Sequence, residues 1–183
     1  MVYRKFAVVI ACCLAFAPAV HADGVDSDNL KEYGKGIITD YSNMSERDPI
    51  EWVWLAPRTR LSDHRFAAKP VENLTSMSDA DMEDTFNANL GRTLQRVGAK
   101  NPGAPLLNVT SAVYWANRAS SGKAWIPYVG GHLAQAGLGV ELVFTNAQGE
   151  IVGKIRHSGR EGDELENAAE ELVDDIRQFI ENT

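Results

Sequence analysis

Residues 140–156 read VELVFTNAQGEIVGKIR, and their pattern decides the fold. Val140 to Phe144 and Glu150 to Arg156 are runs rich in apolar and β-branched residues. Asn146-Ala147-Gln148-Gly149 between them is turn chemistry, so the stretch predicts a β-hairpin. A helical pattern follows from Asp163, with Leu165, Ala169, Leu172, Val173, Ile176, Phe179 and Ile180 along one side. Asp163 and Glu166 are placed to cap its first turn. A hairpin followed by a one-sided helix needs a shared apolar surface, and a sheet supplies it.

The upstream chain extends that sheet. Ser78 predicts a helix start, with Asp81 as its capping-box partner, and Met82, Phe86, Leu90, Leu94 and Val97 recur at three- and four-residue spacing up to a closing Gly98. Leu107, Val109, Ser111, Val113 and Trp115 alternate with Asn108, Thr110, Ala112 and Tyr114, which predicts a strand with one apolar face. Glu51 to Ala56, bounded by Pro49 and Pro57, reads as a short strand. Arg65 to Leu74 is a weaker one, broken by Pro70 and therefore at an edge. The order predicts an α+β domain over 49–183. Its expected form is a two-layer sandwich, an antiparallel sheet of four or five strands with two amphipathic helices on one face. Residues 23–48 read as an extended leader lying along that domain, anchored by Ile37, Ile38 and Tyr41.

At the N-terminus, Arg4 and Lys5 precede twelve mostly apolar residues, Phe6 to Ala17. Pro18 and the small residues of Val20-His21-Ala22 complete the pattern of a cleavable export signal over 1–22. Val9-Ile10-Ala11-Cys12 offers a rival lipobox, but the apolar run continues past Cys12 and favours cleavage before Asp23. The expected location is a bacterial periplasm. The run is shorter than the ~20 residues of a spanning helix, and no span is expected in the mature chain. The formal charge of the chain is −7, and without Arg4 and Lys5 it stands at −9, which argues against a general nucleic-acid binder. Cys12 and Cys13 both fall in the signal. Thiolate nucleophiles, CxxC redox chemistry and cysteine-ligated zinc are thereby excluded from the mature protein.

Signatures of other chemistry are sparse. His64, His132 and His157 form no HExxH-type pair, and no cofactor or metal is expected. Glu161, Asp163, Glu164 and Glu166 crowd a helix start, where the dipole accounts for them. There is no GxSxG elbow. Ser158 follows His157 directly, and strand neighbours point to opposite faces. Gly137-Leu138-Gly139 is half a dinucleotide fingerprint entering a strand, and Gly122-Lys123 lacks the P-loop glycine. Carboxylates paired only in space remain an open route to glycoside cleavage. Glu141, the acid inside an apolar strand, reads as an edge charge that discourages sheet-to-sheet pairing in preference to a catalytic acid.

Aromatic residues carry more information. Trp52, Trp54 and Trp115 are expected to fill the core. Residues 117–136 form a long irregular stretch, of the kind that is usually functional. It holds Lys123, Trp125 and Tyr128, and with Tyr114 and Arg118 these are the candidate partner-binding residues, Trp125 foremost. Arg58, Arg60, Arg65 and Lys69 read as a solvated rim, or alternatively as a contact for anionic envelope polymer. The sequons at Asn43, Asn73 and Asn108 matter only in a eukaryotic secretory route.

Gly36-Ile37-Ile38-Thr39-Asp40-Tyr41-Ser42, the short strand ending at a proline, Gly139-Val140-Glu141-Leu142-Val143, and Ile151-Val152-Gly153-Lys154 before a terminal helix form a pattern. It resembles uncharacterised proteobacterial envelope lipoprotein families, similar in fold to curli-secretion and penicillin-binding-protein-activator lipoprotein domains. The resemblance implies a small α+β domain and supplies no catalytic residues. The expected function is non-enzymatic binding of another envelope macromolecule, either a protein or peptidoglycan. Two forms are open: an accessory factor of envelope assembly or secretion, and an immunity protein whose negative charge steers it to a basic toxin. A peptidoglycan hydrolase with spatially assembled carboxylates is the alternative.

Overall fold

The computed structural model describes residues 24–77, 79–119 and 135–183. The expected signal with Cys12, the capping Ser78, and Lys123, Trp125 and Tyr128 lie outside the described residues. Three helices are described: α1 (Ser27–Tyr33), α2 (Ala80–Gly98) and α3 (Leu165–Glu181). The strands are β1 (Ser45–Arg47), β2 (Ile50–Leu55), β3 (Arg65–Ala68), β4 (Glu72–Asn73), β5 (Leu106–Asn117), β6 (Gly137–Thr145) and β7 (Ile151–Arg160). They form a seven-stranded sheet of order β1-β2-β7-β6-β5-β3, with β4 also beside β5. The class is α+β. Among the described residues no helix is long and apolar enough to cross a membrane.

The sheet is larger than the expected four or five strands, and it is mixed. Pro70 splits Arg65–Leu74 into β3 and β4, since a proline cannot donate to the ladder. Both then run parallel to β5, because α2 carries the chain back to the end from which β3 and β4 started. β1 is the other addition, supplied by the segment expected to be an extended leader. The expected hairpin is present as β6–β7, antiparallel and paired from Gly137↔Arg160 to Thr145↔Ile151.

The main core lies between the helices and one sheet face. Met82, Phe86, Leu90, Leu94 and Val97 of α2 and Leu165, Ala169, Leu172, Val173, Ile176, Phe179 and Ile180 of α3 are buried in one cluster with Leu138, Val140, Leu142 and Phe144 of β6. The helix starts differ from expectation. Asp79 caps α2 by accepting from the Met82 N–H at 3.1 Å, and Asp81 falls within the first turn of the helix. α3 begins at Leu165, after Glu164, with no side-chain cap. Gly98 is the last residue of α2, and the glycine is there for space: a Cβ on it would stand 3.1 Å from the Arg65 Cα of β3.

The opposite face is covered in part by residues 24–44. Val25, Ile38, Tyr41 and Met44 make a second, smaller cluster with Leu30, Trp52, Trp54 and Val143. Trp52, Trp54 and Trp115 are therefore not main-core residues; all three are half-buried on this second face. Trp115 reaches it because a register shift between Val113 and Trp115 breaks the expected alternation of β5. Its ring meets Tyr33 edge-on at 5.1 Å and lies 4.5 Å beneath the Arg160 guanidinium. Phe86, with no exposure, tests the first core: Phe86→Ala is expected to lower unfolding free energy by about 3–5 kcal/mol, read as a shifted urea midpoint at constant slope.

Candidate functional site

The polar centre of the molecule is a cross-strand pair. Glu141 of β6 stands opposite Arg156 of β7, and Arg156 Nη1 donates to Glu141 Oε1 at 2.6 Å with both side chains fully buried. β6 lies between β5 and β7, so Glu141 is no edge charge: it is the sheet's innermost acid. Isolated charges cannot be held in such a place, and most of the pair's further hydrogen bonds come from the leader. Glu141 Oε2 accepts the Ile38 N–H at 2.8 Å, and Oε1 accepts the Tyr41 hydroxyl at 2.9 Å. Arg156 donates to the Asn29 Oδ1 at 3.0 and 3.2 Å and to the Gly34 carbonyl at 2.9 Å. Its guanidinium lies flat against Tyr114, 3.7 Å from the ring centre, a cation–π contact in a dry setting.

Small residues make room for this arrangement. A Cβ on Gly139 would come within 2.6 Å of the Tyr114 ring, and one on Gly36 would collide with the Glu141 carboxylate. Beside the pair, Lys154 Nζ donates to the Asp40 carbonyl at 2.8 Å and sits 5.1 Å over the Trp54 ring. Burial, and secondarily the charge of Glu141, pushes the Tyr41 phenol up to about 12, so it stays a donor to Glu141 across the ordinary pH range. Burial likewise raises the Tyr114 phenol.

A second cluster lies at the far end of β7. His157, buried, holds Asp175 of α3 at 3.0 Å through Nε2. Its Nδ1 accepts the Glu51 N–H at 3.4 Å, which places the ring proton on Nε2. Ser158 Oγ donates to the Glu51 carboxylate at 2.9 and 3.1 Å. The hydroxyl therefore faces a carboxylate and not the imidazole, and the Ser–His bond of a nucleophile–base pair is not formed. Glu51 also borders an open cavity of about 540 Å³ whose other walls include Asn29, Asp48 and Trp52. Among the described residues no three metal-ligating side chains converge.

The sequence-derived partner residues separate. Tyr114, expected on the partner surface, is only 6 % exposed and belongs to the Arg156 stack. Its place inside follows from the close approach that Gly139 allows. Arg118 is exposed and pairs with Asp79 at 2.6 Å, beside a cavity of about 430 Å³ at the N-termini of α2 and α3. Lys123, Trp125 and Tyr128 lie outside the described residues. In the basic stretch, Arg60 approaches Asp63 at 3.9 Å and Arg65 Nε donates to the Ala104 carbonyl. Sequence reasoning missed Arg156 as the partner of Glu141: a register shift between Phe144 and Thr145 offsets the pairing, and counting outward evenly from the turn would have set Glu141 opposite Lys154.

No family model matches the chain, and no curated protein sequence does. Its fold has a solved counterpart. The chain is similar to PelC from Paraburkholderia phytofirmans, solved as a dodecamer, with a TM-score of 0.51 and 14 % identity over 70 % of this chain and 94 % of that one. A point variant of the same protein, also a dodecamer, gives a TM-score of 0.47 and 15 % identity over the same shares. At these identities the likeness is one of fold.

Two outcomes test the electrostatics. Glu141→Gln or Arg156→Met alone is expected to cost about 3–5 kcal/mol, because each leaves a buried charge unpaired. The double variant Glu141→Leu/Arg156→Met should lose much less than the sum of the two, read by urea unfolding. Glu171 of α3 is held above the ordinary carboxylate range by burial first, then by the charges of Glu161 and Asp175. A raised acid binds its proton more readily in the folded state, so stability falls as pH rises through that window. Glu171→Gln should therefore gain stability at neutral pH, at most a few tenths of a kcal/mol because the side chain is exposed and solvent screens its neighbours' charges. The gain should vanish at about pH 3.5, below the usual glutamate value of about 4.3.

Proposed function

We propose that this chain is an exported, non-enzymatic component of the bacterial envelope that acts by holding another macromolecule, as an accessory factor of an assembly or secretion machine. One observation carries the reading. The side chains that chemistry would recruit are engaged with the fold itself: Glu141 with Arg156, Ile38 and Tyr41, and His157 with Asp175 and the Glu51 backbone. The fold likeness to a chain solved as a dodecamer supports a role in assembly, and Leu106 and Ile151, each more than two-fifths exposed, offer apolar contact area. In the immunity version the same surface and the net negative charge would serve a basic toxin.

The test is fractionation and in-cell crosslinking of the full chain. The mature protein should appear in the periplasm, cut before Asp23. Trp125→Ala should cut the crosslinked envelope component at least ~5-fold, equivalent to about 1 kcal/mol, at unchanged melting temperature. Retention in the cytoplasm with residues 1–22 attached would overturn the proposal. The hydrolase reading is favoured by one feature, the Glu51 carboxylate at the mouth of a cavity with Ser158 bonded behind it. Release of soluble fragments from peptidoglycan, lost in Glu51→Gln, would establish that reading instead.

A further inference from the structure

Arg92 and Arg96 lie four residues apart on α2, so their side chains share one flank, and Lys100 follows two residues beyond the helix end. Like charges at this spacing oppose helix formation. They stand, moreover, in a chain with 25 acidic residues against 18 basic ones, where partners are plentiful. Lys100 has one: its Nζ meets Glu181 of α3 at 2.8 Å. Arg177, across the groove on α3, meets Asp174 at 2.7 Å and Glu181 at 2.9 Å. Arg92 and Arg96 differ. Among the described residues no carboxylate lies within 4.0 Å of either guanidinium.

Both arginines line an open groove of about 250 Å³ between α2 and α3, with Asn89 and Thr93 beside them and Arg177 opposite. Arg92 Nη2 donates to Asn89 Oδ1, one turn earlier on the same helix. Asp174 also borders the groove, with both carboxylate oxygens engaged within α3. Its Oδ1 takes two N–H bonds from Arg177, and its Oδ2 takes one from the Gln178 amide. The Gln178 bond, followed by that of Arg177, holds its carboxyl below the usual range. Glu170 is the remaining acid of the lining, so the groove keeps a net positive charge on a negative molecule.

We infer that this groove binds oxyanion groups of an acidic polymer that is not a polypeptide, with Arg92 and Arg96 as the ligating residues. A guanidinium presents parallel N–H donors that fit a carboxylate or a phosphate in bidentate fashion. Four residues of helix separate the two forks by about 6 Å along the axis, so consecutive anionic groups of one chain can be taken side by side. Thr93 and Asn89 supply hydroxyl and amide groups between them. A folded protein partner fits less well. Its binding energy would come from a buried aromatic or aliphatic anchor, whereas the apolar lining here is Val173, itself only 4 % exposed. The inference stands on the groove alone and does not depend on export.

The experiment is titration calorimetry of the purified protein at low salt with four probes: polygalacturonate, inorganic polyphosphate, neutral dextran and poly-glutamate. Polygalacturonate, polyphosphate or both should bind, dextran should not, and the better of the two identifies a carboxylate or a phosphate source. Arg92→Glu/Arg96→Glu should weaken binding at least tenfold, and Arg92→Gln/Arg96→Gln should fall between it and the parent. Lys31→Glu/Lys35→Glu, a like change of charge at exposed positions away from the groove, should keep affinity within twofold. Both arginines of the groove are exposed, and unchanged circular dichroism and melting temperature show that the variants fold. Absence of binding to both anionic polysaccharide and polyphosphate, equal loss in the Lys31/Lys35 variant, or binding to poly-glutamate alone would each overturn the assignment.

Discussion

The buried pair of Glu141 and Arg156 is the constraint around which the rest of this molecule is arranged. Two full charges removed from water cost more than their mutual attraction returns, unless every remaining donor and acceptor is occupied. Here the occupants come from the leader: an amide at Ile38, a phenol at Tyr41, an amide side chain at Asn29 and a carbonyl at Gly34. Residues 29–41 are thus part of the domain's electrostatics and not an appendage to it. The pair also pins register. A slip of one residue between β6 and β7 would turn Arg156 toward the helices and Ile155 toward the leader, exchanging a charge for an apolar residue on both faces at once.

That arrangement explains the three tryptophans. A second sheet face that holds charges cannot also be a plain apolar core. It takes side chains with an apolar body and a tolerance for cations, and Trp54 under Lys154 and Trp115 under Arg160 both answer that description. The main core on the helix face has no such requirement and is filled with Leu, Val, Ile and Phe.

Periodic features were legible in the sequence: the β6–β7 hairpin, the apolar stripe of α2 from Met82 to Val97, and that of α3 from Leu165 to Ile180. These depend on neighbours close in sequence. What escaped depends on partners far away or on single irregular residues. The parallel placement of β3 and β4 is set by where α2 delivers the chain, which Arg65 and Glu72 do not encode locally. The shift between Val113 and Trp115 leaves no trace in an alternating pattern, so alternation alone sets Trp115 on the helix face. Glu141 was noticed as an anomaly among apolar residues. Its meaning required Arg156 opposite and the leader above, a hundred residues distant in the chain. The α2 groove escaped for the opposite reason: Arg92 and Arg96 look like ordinary solvated positions until the positions of all nearby carboxylates are known.

The hydrogen bond from Ile38 to Glu141 closes a loop of 103 residues, and this has a temporal side. A chain made from its N-terminus offers the leader first, yet the acceptor it needs appears only when β6 has formed and paired with β7. Contacts of such long range are made late, since their closure entropy must be met before they return anything. Residues 29–41, made well before the strands they bond to, are consequently among the last to settle. Until then two charges wait on an open sheet face in contact with water.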